Sequence, residues 1–187
     1  MSSIRRVALT LFRQLFLVDL FRHVICHIRH IWYVGVKKQL SFIDPPPSGA
    51  IEHAIEHNIR TVRNVWAMNK EIGVVRSSRF IRPLTGITRV MSDIGNQKVL
   101  TIGPRSEGEI FNLFAHGFSL SNITGLDLIS YSPYVELGDM HDMEYPDNHF
   151  DIVISGFVFT YSDDRKQAAA EMLRVVKPGG IIVVAIS

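Results

Sequence analysis

Two carboxylates that close short apolar runs carry the clearest capacity for ligand chemistry: Asp127, ending Gly125-Leu126-Asp127, and Asp139, following Leu137-Gly138. A carboxylate presents two acceptor oxygens, a set that can hold a vicinal diol. Gly103 and Arg105 follow a third apolar run, and Ser155 lies in a fourth. The bland alternative is that Asp127 and Asp139 are only solvated turn residues. Their meaning depends on the elements around them.

Two patterns imitate metal sites. His53-Ala54-Ile55-Glu56-His57 has the H-x-x-E-H spacing, which on a helix puts two imidazoles and a carboxylate on one face for zinc-assisted hydrolysis. No third ligand is identifiable, and a solvated polar face explains Glu52 and Glu56 more simply. His23, Cys26, His27 and His30 also cluster at helical spacing, but on a basic stripe they read as surface residues, so no metal is expected. The chain has no G-x-S-x-G elbow and no G-x-x-x-x-G-K-[ST] phosphate loop, so neither serine hydrolysis nor P-loop chemistry is indicated.

The elements that must position these groups change character along the chain. Residues 1–42 form a basic arm of one or two amphipathic helices. Polar positions from Arg6 and Thr10 through Arg13, Gln14, Asp19, Arg22, His23, His27 and His30 leave a wide apolar face. Residues 43–49, with Pro45-Pro46-Pro47, read as an extended linker. Residues 50–94 form a helical lead-in: one helix starts near Ile51 and stops near Gly73, and a shorter stretch breaks at Pro83.

From 95 to 187 strands alternate with helices, which implies a parallel sheet covered by helices. Val99–Ile102, Ile123–Leu128, Val135–Leu137, Asp151–Phe159 and Ile181–Ile186 are the expected strands. One helix starts near Ser106 through a capping box with Glu109 and ends at Gly117. A second spans Asp164–Val176 and is turned into the last strand by Gly179-Gly180.

With 47% hydrophobic residues, 20% charged residues and mean hydropathy of +0.15, the 187-residue chain can bury a substantial core. Residues 1–40 hold seven of the 20 basic residues and one of the 18 acidic ones. A basic arm on a mildly acidic body points to an anionic partner for the arm. The single cysteine, Cys26, excludes an internal disulfide and fits a reducing compartment. Charges interrupt the apolar stretch to Val36, which disfavours a membrane-spanning helix.

Three ordered motifs, Gly138-Asp139-Met140, Tyr145-Pro146-Asp147-Asn148-His149-Phe150-Asp151, and Glu171-Met172-Leu173-Arg174-Val175-Val176-Lys177-Pro178-Gly179-Gly180, resemble the series of class I S-adenosylmethionine (SAM)-dependent methyltransferases, of the methyltransferase type 11 kind. The resemblance covers about half the chain. It implies an α/β fold: a Rossmann-like parallel sheet, truncated after the fifth strand, with helices preceding it. SAM is the implied cofactor. In such sheets ligands lie beyond the carboxyl ends of the strands, where Gly103, Asp127, Asp139 and Ser155 fall. Asp127, with Leu128 beside it, corresponds to the acidic residue that accepts from the ribose hydroxyls, and Asp139 with the Met140 backbone to the pair that meets adenine.

Three departures accompany the resemblance. The family's acidic-x-Gly-x-Gly-x-Gly is here Thr101-Ile102-Gly103-Pro104-Arg105-Ser106-Glu107. Arg105 is expected either to pair with the methionine carboxylate, with Glu107 or Glu109 meeting the ammonium group, or to be a surface residue. Residues 129–134 are too few for the usual crossover helix, so Tyr131 or Tyr134 is expected to wall the adenine. No hairpin follows the fifth strand, leaving an edge to be covered by the N-terminal helices or a second chain.

The expected activity is methyl transfer from SAM to a small-molecule, glycan or lipid acceptor. Tyr161, Ser162, Asp163 and His141 stand near the acceptor, but none is assignable as catalytic. The rival expectation is an inactive methyltransferase-like binding or scaffold protein. Residues 1–40 are expected to meet a membrane surface, the body of the protein or a second copy. Nucleic acid is not expected as a partner, and the expected location is the cytoplasm, peripheral to a membrane in the lipid-binding case.

Overall fold

The computed structural model describes residues 3–43, 50–64 and 74–186. The prolines of the expected linker lie outside the described residues, as do the side chains of His53 and His57. In chain order the elements are α1 (Ser3–Leu17), α2 (Asp19–His30) continued by a π-helical stretch (Ile31–Val36), β1 (Ser41–Phe42), α3 (Ala50–Arg63), α4 (Val74–Thr85), α5 (Thr88–Ser92), β2 (Val99–Ile102), α6 (Glu107–Ala115), β3 (Ile123–Asp127), β4 (Ile129–Ser130), β5 (Val135–Leu137), β6 (Phe150–Gly156), α7 (Arg165–Val175) and β7 (Val176–Ala185).

Five strands form one sheet in the order β5-β3-β2-β6-β7, and every pair is parallel. The expected α/β class and Rossmann-like sheet are therefore observed. Its central strands are apolar on both faces, as a sheet covered on both sides requires. On one face Val99, Ile152 and Ile154 pack against Phe80, Ile81, Leu84, Ile110 and Leu113 from α4 and α6. On the other, Leu100, Ile102 and Val153 meet Met172 and Val175 of α7.

Helix α6 is buried along its whole length, because a further layer covers its outer side. Phe16 and Cys26 of the arm pack there against Phe111, Phe114 and Ala115. The arm thus packs chiefly on α6 rather than along β7.

Other expectations are corrected. Pro83 does not break its helix: α4 runs through it to Thr85, because a proline near the C-terminus costs one bond, and Gly86 N–H closes the end on the Pro83 carbonyl at 3.0 Å. Gly179 and Gly180 lie inside β7 rather than before it: the partner of Phe150 is Val176 while that of Ile152 is Ile181, so the glycines form an irregular excursion within the strand. Cys26 and His30 are buried rather than on the surface, and His30 Nε2 meets the Val62 carbonyl at 2.8 Å.

The missing crossover helix has a geometric explanation. Gly125 pairs with Val135 and Asp127 with Leu137, so β5 covers only the carboxyl half of β3 and a short extended return suffices. That return forms β4, which pairs antiparallel with β1 through Ser41–Ser130 and Phe42–Ile129. Tyr131 is buried with Val34 and Val62 against the His30 ring, and Tyr134 packs on Phe111 at 5.9 Å. Tyr131, taken up in this core, is not free to form the expected adenine wall. Among the described residues no helix is long and apolar enough to cross a membrane.

Candidate functional site

The carboxyl ends of four neighbouring strands are stitched together. Gly103 N–H donates to the Leu126 carbonyl at 2.8 Å, Gly138 N–H donates to the Asp127 carbonyl at 3.1 Å, and Ile102 is in register with Ser155. This brings Gly103, Arg105, Asp127, Leu128, Asp139, Met140 and Ser155 to one rim, where parallel sheets bind ligands.

The turn after β2 retains a glycine-like backbone without the glycines. Gly103 has φ of +68° and Arg105 a φ of +51°, the left-handed region that a side chain adopts at a cost. The Arg105 N–H then points at Asp127, donating to Oδ2 at 2.9 Å, and the Ile129 N–H donates to Oδ1 at 3.3 Å. Burial pushes the Asp127 carboxyl up to about 6, against the opposing pull of these N–H groups. Each oxygen still has acceptor capacity for a further donor. Leu128 packs with Leu40 and Ile59 around Ile129.

A second left-handed non-glycine, Phe157 at +65°, follows β6 on the adjacent strand. Strain of this kind is held where surrounding structure enforces it, and it clusters at functional sites. Next to it, Val158 covers Gly103: a Cβ built on Gly103 would lie 2.7 Å from the Val158 Cβ, so even alanine would clash. Ser155 is buried, and its hydroxyl has no hydrogen-bond partner among the described residues.

The two glutamates expected at a cofactor ammonium are committed elsewhere. Glu107, fully buried, takes Arg29 Nε at 2.5 Å, Arg29 Nη2 at 2.8 Å and the Ser132 hydroxyl at 2.6 Å. Glu109 accepts from the Thr101 hydroxyl, and burial raises its carboxyl to about 7. This also leaves the expected capping box half formed: Ser106 caps α6 through Gly108 N–H at 3.4 Å, but Glu109 does not reach back.

Asp139 is likewise engaged. Its Oδ1 accepts the His141 N–H at 2.9 Å and faces His141 Nδ1 at 2.6 Å, while His141 Nε2 lies 2.7 Å from the Ser162 hydroxyl and 3.4 Å from Asp163 Oδ1. The residues named on the acceptor side therefore do converge, except Tyr161, which is exposed. Met140 packs its side chain on the core under α7. Sequence reasoning missed Arg29 and Val158 because neither belongs to a motif; the signal available for Arg29 was a lone cation on a helix facing an acid in the first turn of another.

Residues 100–184 match the family model described as a methyltransferase domain. Among curated proteins, the ubiquinone/menaquinone biosynthesis C-methyltransferase UbiE of Psychromonas ingrahamii is 34% identical over 64 residues, covering 34% of this chain and 25% of that protein. The UbiE of Pseudomonas paraeruginosa is 30% identical over 115 residues, covering 61% of this chain and 44% of that protein. The matched stretches thus span less than half the length of these relatives. A SAM-dependent methyltransferase of Thermotoga maritima aligns in structure with a TM-score of 0.39 and 15% identity, over 72% of this chain and 59% of that one.

Proposed function

We propose that this chain, a member of the methyltransferase-domain family over residues 100–184, binds SAM at the rim formed by β2, β3, β5 and β6 and transfers its methyl group to a small-molecule, glycan or lipid acceptor. The observation that carries this reading is the Arg105–Asp127 contact. Two of the three motif glycines are replaced, yet the backbone at Arg105 keeps the left-handed turn and sets the Asp127 carboxylate at the strand end.

The residues present fit the adenosine half of SAM. Asp127 has acceptor capacity for a ribose diol, the Asp139–Met140 segment lies on the neighbouring strand end, and the orphaned Ser155 hydroxyl is a buried donor and acceptor. In this reading Arg105 meets the methionine carboxylate, and Glu107, held by Arg29, does not meet the ammonium group. When bound, SAM supplies an electrophilic methyl on a sulfonium. The protein's part is to hold the acceptor in line, which accounts for most of the effect in reactions of this type. In this reading His141, whose Nδ1 faces Asp139, takes a proton by way of Ser162.

A second reading is favoured by Val158 over Gly103 and by the Arg29–Glu107 pair: a methyltransferase-like domain that binds a partner and no longer turns over. Calorimetric titration of the full chain with SAM and with its demethylated product separates the two. Binding of both supports the enzyme reading; heat with neither supports the scaffold.

A further inference from the structure

The arm is built inside out. Along α2 and its π-helical continuation, Arg22, Cys26, His30 and Val34 recur every four residues on the inner side, and all are buried. Leu20, Val24, Ile28, Trp32 and Val36 recur every four residues on the outer side, and all are exposed, Leu20 by 72% and Ile28 by 56%. On α1 Leu11 faces outward as well, at 65%. A helix against water presents the opposite arrangement.

The inward cations are all spent within the protein. Arg13 Nη2 donates to the Phe118 carbonyl at 3.2 Å, Arg22 donates to the Phe16 carbonyl and the Asp19 carboxylate, and Arg29 holds Glu107. Among the described side chains, the cations left on the outside are at the ends of the apolar stripe: Arg5 at one, Lys37 and Lys38 at the other, all exposed. Lys37 Nζ lies 5.7 Å from the Trp32 ring centroid and 5.4 Å from that of Tyr33. The single acid between residues 3 and 43 is Asp19, and it is neutralised by Arg22.

We propose that this outer face is a peripheral membrane-docking surface for anionic phospholipid. The stripe lies in the acyl-headgroup boundary, and Arg5, Lys37 and Lys38 meet the headgroups. Charge decides between lipid and a second copy. A self-complementary face would bring the same-signed termini of two arms into one interface without an acid to offset them, whereas an anionic leaflet offsets them directly. An aromatic residue beside a lysine at the end of an apolar stripe is also the arrangement that suits the headgroup level.

The test is flotation of the full chain with vesicles of phosphatidylcholine alone and with a minority of phosphatidylserine, paired with sedimentation equilibrium in the absence of lipid. Binding should require phosphatidylserine. Lys37→Glu with Lys38→Glu should weaken it about 30-fold or more, two cations at about 1 kcal/mol each. Leu20→Gln with Ile28→Gln, both at exposed positions, should weaken it at least about 10-fold while circular dichroism stays unchanged. A chain that remains unbound with both vesicles overturns the proposal. So does a dimer that the Leu20→Gln and Ile28→Gln pair dissolves, since that assigns the face to a second copy.

Discussion

Arg29 of α2 grips Glu107 in the first turn of α6 with two bonds, Nε to Oε2 at 2.5 Å and Nη2 to Oε1 at 2.8 Å. The guanidinium also sits over the rings of Tyr33, Phe111 and Tyr134, each within 5.5 Å of its centroid. Planar charge, forked donors and aromatic stacking together suit arginine and not lysine. The contact ties the arm to the first turn of α6, directly after the turn that holds Gly103 and Arg105.

Arg29→Ala should therefore destabilise the chain by about 3–5 kcal/mol, because Glu107 is left charged and buried with only the Ser132 hydroxyl and no cation beside it. Arg29→Met combined with Glu107→Leu should recover most of that loss, since removing both charges removes the penalty. Urea denaturation of the three chains measures it. Equal losses in the single and double variants would show that the pair is not what the arm depends on.

Glu109 gives stability a pH dependence of known sign. Its folded carboxyl lies at about 7 against an ordinary 4.5, so between these values the folded chain holds a proton that the unfolded chain has released. Stability from this group is full below about pH 4.5 and falls as pH rises toward 7, by about 3 kcal/mol in all. Glu109→Gln should remove that slope. Denaturation midpoints at pH 5, 6, 7 and 8, compared between the two chains, isolate it from other titrating groups. Parallel pH profiles would contradict the assignment.

Arg105→Gly separates conformation from charge. Glycine adopts φ of +51° without strain, so the variant should gain about 1 kcal/mol of stability, while Arg105→Ala should not. Both should weaken SAM by about 1.5–3 kcal/mol if the guanidinium meets the methionine carboxylate. Thermal unfolding and SAM titration of the two variants read the terms independently.

The sheet was legible because Val99–Ile102 and Phe150–Gly156 are short apolar runs between turn signals, and because α6 and α7 announce themselves with Ser106 and Asp164 at their N-caps. The strand ends, where the proposed site lies, were legible with the sheet. What the sequence concealed was direction. Periodicity shows that the arm is two-faced but not which face turns inward, and here Arg22 and His30 are inside while Leu20 and Trp32 are outside. Partner choice was equally hidden: Glu107 looks the same in the sequence whether it awaits an ammonium group or Arg29. The left-handed backbone at Arg105 and the closeness of Val158 to Gly103 depend on neighbours that no local pattern names.

Titration of SAM against the parent, Asp127→Ala and Asp127→Asn tests most directly whether the cofactor lies at this rim. The parent should bind SAM, more weakly as pH falls through about 6, where the carboxyl becomes protonated and no longer offers two acceptor oxygens. Asp127→Ala should weaken binding by about 10- to 100-fold, and Asp127→Asn by less, because its amide oxygen still accepts. Circular dichroism confirms that the variants remain folded. A parent that binds no SAM, or a folded Asp127→Ala that binds as the parent does, would contradict the placement of the cofactor at this rim.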